Sequence, residues 1–154
     1  MALKVYGRGV AGWPEHLRPG ALRWVRASVR YDETIAFYRD LVGLPIVGEF
    51  HDSFDEDGTI VGLPDTGVQM EIVRVHDTSE MSVGRFDQIV LYLANAAAVE
   101  TATARLRAEG HAPIDDPHPY WVANKAVIYL DPDGRGVVFA PWVYGRDPEP
   151  SESG

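Results

Sequence analysis

The chain has no cysteine among its 154 residues, which excludes disulfides, zinc–thiolate and iron–sulfur sites and thiolate nucleophiles together. A reducing cytoplasm fits that usage. Positive charge is also scarce: 14 Lys and Arg face 23 Asp and Glu, and the net charge of −9 removes the attraction on which binding to nucleic acid or anionic membranes depends. No run approaches the ~18 apolar residues that a membrane helix needs, and the residues after Met1 lack the apolar stretch of a signal peptide. The expectation is a cytoplasmic, non-exported protein with neither nucleic acid nor membrane as partner.

What is present suits one folded domain, with 45% hydrophobic and 24% charged residues. Residues 1–20 carry Gly7, Gly9, Gly12, Pro14, Pro19 and Gly20 without apolar periodicity and read as an arm that Trp13 could dock. Residues 145–154 offer no large apolar side chain and read as a disordered acidic tail. The working domain is then 21–144.

Within it, residues 24–30 alternate, which predicts a strand with Val25, Ala27 and Val29 on a buried face and Trp24, Arg26 and Ser28 on the other. Asp32 offers an N-cap, Ile35, Tyr38 and Leu41 or Val42 recur at helical spacing, and Gly43 can close the helix. Three strand-like runs follow at 45–52, 58–63 and 68–75. The second half repeats the order, with a strand at 86–93, a helix capped by Asn95 and ended by Gly110, and strands at 125–130 and 136–144 joined by the turn Asp131-Pro132-Asp133-Gly134. Trp24 and Gln88 open equivalent strands 64 residues apart, and Gly43 and Gly110 end equivalent helices 67 apart. Such matched offsets indicate a duplicated module.

Four segments in this order, Phe37-Tyr38-Arg39-Asp40-Leu41-Val42-Gly43-Leu44, Gly67-Val68-Gln69-Met70-Glu71, Phe86-Asp87-Gln88-Ile89-Val90-Leu91 and Asp131-Pro132-Asp133-Gly134, resemble the vicinal oxygen chelate superfamily of glyoxalases, bleomycin-resistance proteins and ring-cleaving dioxygenases. The resemblance implies an α+β fold of two βαβββ modules, 21–76 and 85–144, whose curved mixed sheets surround a shared cavity, often within a homodimer. It also implies where a divalent cation would sit in metal-using members. Those four positions here are Trp24, Glu71, Gln88 and Val138, and only Glu71 is an ordinary ligand. Indole and isopropyl groups donate nothing to a cation, so no metal and no other cofactor is expected. His51, His76, His111 and His118 fall off the ligand positions and read as exposed loop residues. The acidic run from His51 to Asp57 lacks the spacing and closing Glu of a calcium loop.

Alternation then assigns one cavity face: Trp24, Arg26 and Ser28; Gln69 and Glu71; Gln88, Val90 and Tyr92; Gly136, Val138 and Ala140. Arg26 and Glu71 are expected to pair across it, with Trp24 as an aromatic wall and Gln88 as an orienting amide. Tyr120 and Trp121, beside Pro119 in an expected loop, could cap the mouth or pack at an interface. Two functions compete. One is a small-molecule-binding protein taking a partly aromatic ligand through Trp24, Arg26, Gln69, Gln88, Tyr92, Tyr120, Trp121 and Val138. The other is a metal-independent lyase or isomerase with Glu71 as general base. No Ser/His/Asp set or phosphate loop adds to the second, and the loss of the metal set favours binding.

Overall fold

The polar side chains of the first strand decide how the two halves meet. In a computed structural model, which describes residues 15–17 and 19–142, β1 (Leu22–Ser28) leads into α1 (Tyr31–Ala36), which continues as a wider π-helical turn through Phe37–Val42. The amide of Gly43 closes that turn on the Tyr38 carbonyl at 3.0 Å, and Gly43 takes φ +91°, as the sequence expected of a helix-ending glycine. Then come β2 (Ile46–Ser53), β3 (Glu56–Gly62) and β4 (Val68–Arg74). They form a four-stranded sheet ordered β1-β4-β3-β2, with β1 and β4 parallel.

The second module runs β5 (Gln88–Tyr92), α2 (Ala96–Ala108), α3 (Pro119–Ala123), β6 (Val127–Leu130) and β7 (Gly136–Ala140). Its three strands are ordered β5-β7-β6. Asn95 caps α2 by accepting from the Ala98 amide at 2.9 Å. The fold is thus the expected pair of mixed sheets, with one strand fewer in the second module. Between α2 and β6, where a loop was expected around Tyr120, the chain instead forms a helix with Pro119 in its first turn. His118 is its N-cap, and its Nδ1 accepts from the Tyr120 amide at 3.1 Å.

A shared core joins Phe37, Tyr38 and Ile35 from the first helix to Met70 and Ile72 of β4, Leu106 of α2, and Val137 and Phe139 of β7. Alternation placed the core-facing residues of β4, β5 and β7 correctly, whereas Gly136, Val138 and Ala140, assigned to the cavity face, are buried too. It inverted β1: Val25 is 60% exposed, whereas Arg26 is 8% exposed and Ser28 wholly buried. The register agrees, because Trp24 lies beside Met70 and Arg26 beside Ile72, on the side facing the helices. A shift of one residue exchanges every side chain between faces.

The reason for the inversion is a turn 105 residues away. Asp133, whose side chain is fully buried, accepts from the Ser28 hydroxyl at 2.5 Å, the Thr34 hydroxyl at 2.9 Å and the Arg30 amide at 3.2 Å. Asp131 accepts from the Tyr38 hydroxyl at 2.7 Å and from the amides of Asp133 and Arg135 at 2.9 Å each. The Asp-Pro-Asp-Gly turn of one module therefore clamps the strand–helix junction of the other. Arg30, not Asp32, occupies the N-cap position of α1, while Asp32 reaches Arg74 at 3.0 Å. The arm with Trp13, the tail and the expected strand end at 143–144 lie outside the described residues.

Asp133→Ala should lower stability by about 3 kcal/mol, because two buried hydroxyls lose their acceptor at about 1–3 kcal/mol each. Urea unfolding would measure this, with Phe54→Ala, at a 98% exposed position, changing stability by less than about 0.5 kcal/mol.

Candidate functional site

The two modules leave a cavity of about 450 Å³ where β1 and β4 approach the start of β5. Its walls are largely apolar, from Trp24, Leu44, Val61, Met70 and Leu91. Two carboxamides, Gln69 and Gln88, also line it. A concavity of this size with a few polar groups among apolar walls has the form of a small-molecule site.

Its charged groups are Arg26 and Asp87, and they neutralise one another. Asp87, just before β5, accepts from Arg26 Nη2 and, at 2.7 Å, from Arg135 Nε. Arg26 also donates to the Tyr38 hydroxyl at 3.3 Å, and Arg135 to the Ala27 carbonyl at 2.8 Å. Partial burial alone would raise the Asp87 carboxyl, but bonds to the two guanidinium groups outweigh it and hold the carboxyl below its ordinary range. Burial, then the neighbouring Asp131 carboxylate, push the Tyr38 hydroxyl well above its usual value against the pull of Arg26 and Arg135. Tyr38 stays a donor, and Arg26 stays tied to the floor of the cavity.

The expected pairing of Arg26 with Glu71 is therefore corrected. Glu71 lies beside Val25, on the face of the sheet away from the helices, and binds Arg23 at 2.9 Å. It does not line the cavity. The expected residues that do come together there are Trp24, Arg26, Gln69, Gln88 and Val90.

Tyr120, Trp121 and Gln88 line a second cavity of about 340 Å³ on the other face of the second sheet. Val138 is wholly buried in that region, packed with Trp121, Ile128 and Ala140. Tyr92 lines neither cavity, and its ring lies 6.0 Å from that of Trp142. His111 lies in a loop but is half-buried, its ring edge-on to Phe37 at 5.7 Å, whereas His118 is the exposed loop residue expected and also caps α3. Sequence reasoning missed Asp87 and Arg135, and the one signal for Asp87 was its place inside the segment 86–91.

The residues at the superfamily's four cation positions do not fit a metal. Trp24 and Glu71 face opposite sides of their sheet, Val138 has no donor atom, and no group of three or more His, Asp or Glu among the described residues could hold an ion.

Residues 22–73 match the YycE-like N-terminal domain family and residues 87–140 the YycE-like C-terminal domain family. The chain is 32% identical over 119 residues to the uncharacterized protein YycE of Bacillus subtilis (strain 168), covering 77% of this chain and 85% of the relative. The chain belongs to the YycE-like family. A crystal structure of a YycE protein of unknown function from Bacillus subtilis superimposes with a TM-score of 0.72 and 26% identity, over 86% of this chain and 98% of that one. TnmS3, an antibiotic binding protein from Streptomyces sp. CB03234, shares the fold with a TM-score of 0.58 and 17% identity, over 80% of this chain and 95% of its own. The YycE-like fold is thus that of the vicinal oxygen chelate superfamily.

Because the Asp87 carboxyl is depressed in the folded state, its stabilisation is complete above the unfolded carboxylate value and disappears as pH falls through the folded one. Asp87→Asn should be less stable than the parent at neutral pH, and the gap should narrow on acidification through the carboxylate range. Urea midpoints of both proteins across that range would check it.

Proposed function

We propose that this YycE-like protein binds a small, partly aromatic ligand in the cavity between its modules, without a metal. The observation that carries this reading is the pairing of Arg26 with Asp87 at the floor of an otherwise apolar and aromatic concavity. With both charges already matched, a neutral planar molecule meets Trp24 for stacking and the Gln69 and Gln88 amides for orientation, and no buried charge must be uncovered to admit it. The antibiotic-binding neighbour of the same fold makes such a role familiar for this architecture.

Glu71 as a general base finds less support, since its carboxylate is bonded to Arg23 outside the cavity. A chain without cysteine suits a reducing cytoplasm, and its four-stranded and three-stranded open sheets leave strand edges that a second copy would cover, which supports a homodimer. Its sedimentation mass should be twice 17.0 kDa.

A thermal-shift screen of planar neutral compounds and of divalent cations tests the binding reading. A ligand at about 100 times its dissociation constant should stabilise by ~2.7 kcal/mol, and the cations should give no shift. Trp24→Ala should weaken binding by ~1–3 kcal/mol, and Glu71→Gln should leave it intact. A ligand that is turned over by the parent and not by Glu71→Gln would establish the lyase or isomerase instead.

A further inference from the structure

The two cavities share part of their wall. Phe86 and Gln88, which flank Asp87 at the entry to β5, line both. Phe86 is 75% exposed, a large aromatic ring outside the core, with the Arg85 guanidinium 5.7 Å from its centre. Gln88 lies against Gly136, where an added Cβ would come within 3.1 Å of Gln88 Cβ and 3.4 Å of Ile128 Cγ2. Any side chain at residue 136 would crowd the strip of surface that Gln88 occupies beside the second cavity.

Aromatic groups are spaced along this line. Trp24 stands in the first cavity, Phe86 on the shared rim, and Tyr120 and Trp121 in the second, where their rings pack edge to face at 4.9 Å. The outer cavity also has hydrogen-bonding groups that the inner one lacks, His118 and Asp116. His118 uses Nδ1 to cap α3, which leaves Nε2 as its donor toward a ligand.

We propose that the two cavities are lobes of one site, joined over Phe86 and Gln88, which takes an elongated compound with two planar groups. One planar group stacks in the neutral lobe at Trp24, and the other, bearing the hydrogen-bonding substituents, sits at Tyr120 and His118. This rests on the binding reading above and names the shape of ligand that the same site accepts.

A matched pair of fluorescent probes tests it: anilinonaphthalene sulfonate, with one naphthyl unit, and its dimer bis-anilinonaphthalene sulfonate, with two. The dimer should bind the folded protein one to one and about tenfold or more tighter, because a second lobe within reach makes the second contact intramolecular. In Phe86→Ala, at a position whose exposure spares the fold, and in Tyr120→Ala, the ratio of the two affinities should fall toward one. Trp24→Ala should weaken both probes. If the single-unit probe binds and the dimer gains nothing, or the ratio survives both Phe86→Ala and Tyr120→Ala, the two-lobed site is wrong and the Trp24 cavity alone stands. If neither probe binds the folded protein, the two-lobed site is wrong, and the planar-ligand reading then stands or falls with the screen of neutral compounds above.

Discussion

The carboxylates that cross from the second module into the first are the constraint on which this structure depends. Asp131 and Asp133 leave a tight turn and enter the strand–helix junction of the other module, and Asp87 sits between Arg26 and Arg135 at the cavity floor. Buried ions are costly to desolvate, and an apolar contact of equal size could be as stable. What a hydrogen-bonded carboxylate adds is direction: Asp133 can meet Ser28, Thr34 and the Arg30 amide together in one relative placement of the modules. The same placement sets the distance between β1 and β5 and hence the width of the cavity.

That constraint also explains where alternation in the sequence could and could not be trusted. Ile89, Leu91, Val137 and Phe139 pack in the core as their spacing indicated, since their partners are apolar and any neighbouring module would bury them on the same side. On β1 the rule that apolar residues face inward pointed the wrong way. Arg26 and Ser28 are buried because their partners, Asp87 and Asp133, arrive from 61 and 105 residues away, and no window along the strand contains that information. The helix at Pro119–Ala123 was hidden for a different reason. Five residues are too few to display a helical period, and the visible sign was a proline in the first turn after a residue able to cap.

The candidate site was legible to the same extent. Trp24, Arg26, Gln69, Gln88 and Val90 do gather at one cavity, although alternation placed β1 on the wrong face. Arg26 and Trp24 reach the cavity from the helix-facing side of β1, and Gln69 reaches it near the beginning of β4. Glu71, two residues further along β4, shares a face with Gln69 by alternation yet lies past the cavity, beside Val25. Residues from both faces of the sheet thus meet at one cavity, and position along the strand decides which of them share it.

The resemblance pairs Trp24 with Gln88 and Glu71 with Val138, and the structure gives the members of each pair different physical roles. Trp24 walls one cavity from the helix-facing side of its sheet, beside Met70, whereas Gln88 lies beside Gly136 on the face opposite the core residue Ile89, on the border of two cavities. Glu71 is an ion-paired residue on its sheet, while its counterpart Val138 is sealed beneath Trp121. A cation held between modules needs both members of each pair to present a donor to one point. With Trp121 of α3 packed over the second sheet, a charged side chain at residue 138 would be buried without solvent or partner, and valine is the kind of side chain such a place accepts. The packing that excludes a superfamily-type metal centre thus also builds the aromatic wall of the outer cavity.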